Sequence, residues 1–98
     1  MKLIELLEQV KDRDLPKEQL EVYFDEVSYL ISKLHLELAE LEKQEALFIE
    51  NSPEKSNIAT KSKWKATDSG QREIMLKRYL KSAESLRGSI KNRIYAKL

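Results

Sequence analysis

The chain has 98 residues, a formal net charge of +1 and a charged fraction of 36%. It contains two glycines, two prolines and no cysteine, which excludes disulfides and thiolate metal sites and is typical of long helices and coiled coils. No stretch is apolar enough for a membrane span or a secretory signal, so we expect a cytoplasmic protein.

The charges divide unevenly between the two halves of the chain. Residues 1–50 carry 6 Lys or Arg and 13 Asp or Glu, a balance of −7. Residues 51–98 carry 12 and 4, a balance of +8. Two interpretations stay open: an acidic and a basic helix neutralise each other side by side, or the basic half faces a polyanion.

The first predicted element is a short helix over residues 2–13. Leu3, Ile4, Leu7 and Val10 recur at helical spacing. A helix of this length is marginal by itself, so we expect it to pack on the rest of the protein.

A heptad pattern then predicts one long acidic helix over residues 16–50. Its apolar seam alternates steps of four and three and has one polar position, Glu45. Because two long helices with wide apolar stripes cannot both be covered by one partner, we expect a homo-oligomer. The seam residues predicted to mediate oligomerisation are Leu20, Phe24, Val27, Ile31, Leu34, Leu38, Leu41 and Phe48.

Residues 51–69 break the pattern and predict a polar, basic connector without regular structure. The helical pattern resumes as a basic helix over residues 70–97, with a possible cap at Asp68. Gly88 lies inside that helix, where we expect its missing side chain to let another helix approach. The predicted fold is all-α: a single domain formed by a long antiparallel hairpin and a short N-terminal helix, with coiled-coil-like packing in a homo-oligomer.

Catalytic and metal-binding patterns are missing from the sequence. His35 is the only histidine, so no His–His or Cys–His metal spacing and no catalytic triad is recognisable. The carboxylates of Glu37, Glu40, Glu42 and Glu45 are more typical of a solvated helix face than of a cation site. We therefore predict a protein that is not an enzyme and needs no cofactor.

Trp64, the only tryptophan, lies among three lysines of the connector. Single-stranded nucleic acid is bound by this combination, because ammonium groups hold phosphates and an aromatic ring stacks on a base for about 1–3 kcal/mol. The alternative is a hydrophobic lid that closes the end of the hairpin; Tyr79 and Tyr95 are further candidates for stacking. The predicted nucleic-acid-binding residues are Lys61, Lys63, Trp64, Lys65, Arg72, Lys77, Arg78, Lys81, Lys91 and Arg93.

The run KSKWKATDSGQREIMLKRYLKSAESLRGSIKNRI, residues 61–94, resembles part of a known family. It is similar to the C-terminal half of small helical proteins from the recombination and replication cassettes of tailed phages, of the type of the UvsY recombination mediators. The resemblance implies a helical hairpin that forms a ring-like oligomer, binds single-stranded DNA and helps to load a recombinase, in the host cytoplasm if a phage encodes it. Secreted WXG-type proteins have a similar length, but Ala66 stands where they have glycine.

Two functions are therefore expected from the sequence. The first is an oligomeric, single-stranded-DNA-binding accessory protein of phage recombination or replication. The alternative is a helical adaptor or inhibitor that binds a host or anti-phage protein without nucleic acid. In that alternative the acidic helix, with Asp25, Glu37 and Glu40 outward, docks a basic partner.

Overall fold

The computed structural model describes residues 2–11, 14–53 and 56–98. These ranges contain no strand and four helices: α1 (Lys2–Val10), α2 (Lys17–Glu50), α3 (Asn57–Ala66) and α4 (Asp68–Ala96). The long helices α2 and α4 pack on each other in a rod of 57 × 18 × 18 Å. The predicted all-α helical hairpin is confirmed. None of the helices in the described ranges is long and apolar enough to cross a membrane.

The hairpin is antiparallel, as two contacts at its ends show. Near the start of α4, Arg72 donates a hydrogen bond of 2.8 Å to Glu37 in the second half of α2. Beyond the end of α4, Lys97 donates one of 3.0 Å to Asp14, just before α2 begins. The predicted end of the first helix at residues 12–13 lies outside the described residues.

The heptad seam of α2 forms the core of the single chain. Leu20 and Val27 are fully buried, and the seam packs against apolar residues of α1 and α4. The predicted oligomerisation role of the seam is therefore wrong, because side chains that pack within one chain are not available to another copy. This correction covers Leu20, Phe24, Val27, Ile31, Leu34, Leu38, Leu41 and Phe48, of which only the two phenylalanines are half-buried rather than buried.

Helix α1 closes one end of this core. Leu3, Leu6 and Val10 are buried, whereas Ile4 is exposed. The buried face of α1 therefore includes Leu6, which the predicted stripe lacked, and excludes Ile4, which the stripe contained. The guanidinium of Arg93 donates a hydrogen bond of 2.8 Å to the carbonyl oxygen of Val10. This bond satisfies one of the carbonyl groups left without a partner at the end of α1.

The predicted connector contains a helix, which corrects the expectation of an irregular segment. The side chain of Ser56 caps α3 by accepting a hydrogen bond from the Ala59 amide. A single residue, Thr67, separates α3 from α4. Its hydroxyl donates to the Trp64 carbonyl and accepts from the Gly70 amide at 3.0 Å. Thr67, rather than the predicted Asp68, is therefore the N-cap of α4.

The sharp bend between α3 and α4 requires glycine at position 70. A Cβ atom there would lie 2.7 Å from the carbonyl carbon of Trp64 and 2.8 Å from the Cα of Lys65, and nearer still to the Trp64 carbonyl oxygen. At Gly88, by contrast, a Cβ atom would meet nothing within 4 Å. The expected close approach of a helix to Gly88 does not occur within the described chain.

These two glycines provide a matched pair of alanine substitutions. We expect Gly70→Ala to destabilise the protein by about 1–3 kcal/mol, because backbone atoms must move to admit the methyl group. Gly88→Ala should stabilise it by about 0.5–1 kcal/mol through helix propensity alone. Urea unfolding followed by circular dichroism measures both changes. Equal effects of the two substitutions would contradict the close contact at the bend.

Candidate nucleic-acid interface

Trp64 is a structural residue at the closed end of the hairpin. Its side chain is 5% exposed, and its ring lies 5.5 Å from the ring of Phe48, tilted by 55°. Its indole Nε1 donates a hydrogen bond of 2.9 Å to a carboxylate oxygen of Glu73. The predicted stacking of Trp64 on a base is therefore wrong, because α3 turns the ring into the protein; the alternative of a hydrophobic lid describes what the structure shows.

The carboxylate of Glu73 organises this end of the molecule. It is buried on the inward side of α4 and accepts hydrogen bonds from Trp64 and, at 3.0 Å, from Lys77. Glu73 was missed by the sequence analysis, although it continues the helical spacing of the apolar stripe of α4 towards the N-terminus. A carboxylate at such a position needs buried donors, and a nearby tryptophan is one.

Glu45 and Glu73 form a coupled carboxyl pair across α2 and α4. Burial, together with the hydrogen bond to Glu73 and the charge of Glu73, raises the pKa of Glu45 above its ordinary value. Burial also acts to raise the pKa of Glu73, but hydrogen bonds from Lys77, Trp64 and Glu45 outweigh it and lower that pKa. Glu73 is thus the member of the pair that loses its proton first as pH rises, and the same carboxylate raises the pKa of Lys77.

Several of the predicted phosphate-binding cations have partners within the chain. Arg72 pairs with Glu37 at 2.8 Å, Lys77 with Glu73 at 3.0 Å, and Arg93 donates to the end of α1. The Arg72–Glu37 pair joins the basic half of the chain to the acidic half, whereas the Lys77–Glu73 pair lies within the basic half and holds its buried acid. Binding a phosphate at these residues would compete with existing contacts.

The other predicted cations are exposed on α3 and α4. On α4, Arg78 and Lys81 are exposed one helical turn apart on the side turned away from the buried stripe, and we call these two residues the basic face; Lys91 is exposed on the flank that also carries Glu84. Lys61, Lys63 and Lys65 are exposed on α3. The structure therefore brings two of the ten predicted residues together on the outward side of α4, places Lys91 on the flank of that helix and places three others on α3.

Few acidic groups oppose these cations on α4 itself. Its carboxylates are those of Asp68, Glu73 and Glu84. Glu73 is buried, and Glu84 lies on the flank, 3.8 Å from Nε2 of His35 on α2. Asp68 is in the first turn, where a negative charge stabilises the helix.

A groove between α1 and α4 adjoins the basic face. Its open volume is about 960 Å³, and its walls combine cations and serine hydroxyls over an apolar floor. Asp14 is the acid in its wall among the residues that the structure describes, and its pKa is lowered by the hydrogen bond from Lys97. The lining residues are Leu7, Val10, Lys11, Asp14, Lys81, Ser82, Ser85, Leu86, Ser89 and Arg93.

Tyr95 is an exposed aromatic residue near the C-terminal end of α4. It is 60% exposed, and the ammonium group of Lys91 lies 5.8 Å from the centre of its ring. Tyr79, the other tyrosine considered for stacking, is half-buried against the core. An aromatic plane beside a cation, as first expected at Trp64, is therefore present at the end of α4.

Neither metal chemistry nor relatives assign a function to the chain. Among the described residues, no three His, Asp or Glu side chains are grouped to hold a metal ion. No protein-family model, curated protein or solved structure matches the sequence or its fold.

The burial of Trp64 predicts that its replacement lowers stability. Trp64→Ala should cost about 3–5 kcal/mol through lost packing. Trp64→Phe should cost about 1–3 kcal/mol, because it leaves Glu73 buried with one donor fewer. The matched control is Tyr95→Ala, an exposed aromatic whose removal should change the free energy of unfolding by less than about 0.5 kcal/mol. A Trp64→Ala protein as stable as the control would contradict the lid role.

The carboxyl pair predicts opposite effects of two amide substitutions. The pKa of Glu45 is raised, so its ionisation destabilises the fold as pH rises from the ordinary value of 4.5 through the raised pKa. Glu45→Gln should therefore raise stability at pH 7 and have no effect well below pH 4.5. The lowered pKa of Glu73 stabilises the fold above 4.5, so Glu73→Gln should destabilise it at pH 7. Urea unfolding at both pH values tests the signs, and equal signs would contradict the assignment.

Proposed function

We propose that this protein is a non-catalytic accessory protein that binds single-stranded DNA through its phosphates. The observation that carries the proposal is the exposed pair of Arg78 and Lys81 on the side of α4 turned away from the acidic helix, with Lys91 exposed on the flank further along α4. Flexible side chains of this type hold phosphates by charge, without reading the bases.

The distribution of charge between the helices supports a polyanionic ligand. Helix α2 has 9 acidic and 3 basic residues, whereas α4 has 3 acidic and 7 basic ones and α3 adds 3 lysines. Internal pairing accounts for the cations that face α2, such as Arg72. Arg78 and Lys81 lie on the opposite side, so their field is directed at solvent and attracts an anionic chain.

The preference for a single strand rests on Tyr95 and on the family resemblance. With Trp64 buried, Tyr95 beside Lys91 is the aromatic plane that a base could stack on. The resemblance to phage recombination mediators supplies the process, loading of a recombinase on single-stranded DNA in the cytoplasm of the host. Assembly into a homo-oligomer belongs to the same proposal.

The proposal predicts strongly salt-dependent binding to a labelled oligothymidylate, measured by fluorescence anisotropy. Arg78→Gln and Lys81→Gln should each weaken binding several-fold and reduce the slope of log K against log salt by about 0.7, the value for one lost phosphate contact on a single strand. Tyr95→Ala should weaken binding at an unchanged slope, because stacking releases no counterion.

The matched control is Lys43→Gln, the same loss of charge at an exposed position of α2. It should leave both the affinity and the slope unchanged. Lack of binding at about 50 mM salt, where phosphate contacts are strong, would overturn the proposal and leave a protein partner as the ligand. Equal effects of Lys43→Gln and Lys81→Gln would show that net charge, not the basic face, attracts the oligonucleotide.

A further inference from the structure

The outward side of α2 carries a second apolar line that the fold leaves uncovered. Val22, Tyr29 and Leu36 are spaced by seven residues and are 54%, 68% and 73% exposed. They lie opposite the buried seam, since Val27, Ile31 and Leu34 between them point into the core. Large apolar side chains repeated at heptad spacing on an exposed helix are the pattern of a helix–helix contact.

We propose that this line is the contact between two copies of the chain, packed antiparallel with the two-fold axis at Tyr29. A two-fold axis there places residues at equal sequence distances from Tyr29 opposite each other. Val22 then faces Leu36 of the second copy, and Tyr29 faces its own equivalent. All three exposed apolar side chains become covered by apolar partners.

Charge favours this arrangement over a shifted axis and over a parallel one, although not all of its facing pairs attract. With the axis at Tyr29, Asp25 faces Lys33 of the second copy and Glu18 faces Glu40, and symmetry repeats both pairs. Moving the axis midway between Tyr29 and Leu36 would place Asp25 opposite Glu40, and a parallel arrangement would place Asp25 opposite Asp25. Lys33 is already held near the axis, with its ammonium group 5.6 Å from the centre of the Tyr29 ring.

A second copy of α2 covers this line better than the basic helix α4 of another molecule would. The outward side of α4 around Lys81 exposes serines, a glycine and cations rather than a row of large apolar residues. A head-to-tail contact of α2 with α4 would match charges but leave Tyr29 and Leu36 facing polar groups. The inference does not depend on the proposed DNA binding, because the basic face stays outside the contact.

Cysteine cross-linking tests the register directly, because the native chain has no cysteine. Under mild oxidation, Tyr29→Cys should form a disulfide-linked dimer, since the axis brings the two positions together. Val22→Cys alone should not, because its equivalent lies 14 residues away along the helices, about 21 Å. A mixture of Val22→Cys and Leu36→Cys proteins should cross-link as a heterodimer, and Ile58→Cys, exposed on α3, is the control that should not.

Sedimentation equilibrium with charge reversals provides a second test. Asp25→Lys and Lys33→Asp should each weaken the dimer at least several-fold by opposing like charges, and the double variant should restore it. Circular dichroism checks that these surface variants remain folded.

Several results would overturn the inference. They are a monomeric wild-type chain at about 200 µM, well above the micromolar Kd at the weak end of the range for interfaces of standard size, or a double variant that dimerises no better than the single ones. Cross-linking of Val22→Cys to itself would indicate a parallel contact instead. Association beyond dimers that an oligonucleotide reverses would indicate the head-to-tail contact with α4.

Discussion

The antiparallel packing of α2 on α4 decides which charges of this chain face each other and which face solvent. The apolar seam fixes the rotation of each helix about its axis, because the same side must stay buried along the whole rod. On the flanks of the seam this rotation brings Arg72 to Glu37 and Glu84 to His35. Arg78 and Lys81 are left on the outward side. The two interpretations of the divided charge therefore concern different sides of the same helix: pairing with α2 on the flank, and the proposed polyanion on the outward side.

The closed end of the hairpin shows why a tryptophan, and not a phenylalanine, stands at position 64. The seam of α2 has its polar position at Glu45, and Glu73 faces it from α4, so two carboxyl groups meet where the helices approach the bend. An apolar lid over them would leave Glu73 short of donors. The indole covers the site and donates a hydrogen bond at the same time, while Lys77 supplies a charge from the exposed side. The composition of the lid follows from the acids below it.

The long helices could be predicted because their signals are repeated many times, whereas the bend depends on single contacts. Helix α3 has ten residues and one clear turn of apolar spacing, and its stability comes from packing of Trp64 on Phe48. The capping residue Ser56 can be recognised in the sequence, but the contact between Glu73 and the indole of Trp64 cannot. That juxtaposition requires the bend at Gly70, which no periodicity reveals.

The predicted oligomer interface failed for a related reason. A heptad seam has the same appearance whether its partner is another segment of the chain or another chain, so Leu20 and its neighbours could not be assigned from spacing alone. The seam that faces α4 has more apolar residues than the line through Tyr29, and the fold of the single chain already buries it. What is left for association is the weaker line through Tyr29, which the sequence also contains but which becomes meaningful only once the core is known.

Shape makes this leftover line important for stability. A rod 57 Å long and 18 Å wide has much surface for its volume, and a chain of 98 residues buries a modest core even when compact. Contact between two α2 helices would therefore bury apolar surface that the monomer leaves exposed. The stabilisation gained in this way would rise with protein concentration. Because α2 and α4 present opposite sides of the rod, such a dimer would carry one basic face on each outer surface. Phosphate binding and self-association would then be separate properties of the two helices, coupled only through the stability of the hairpin that holds them back to back.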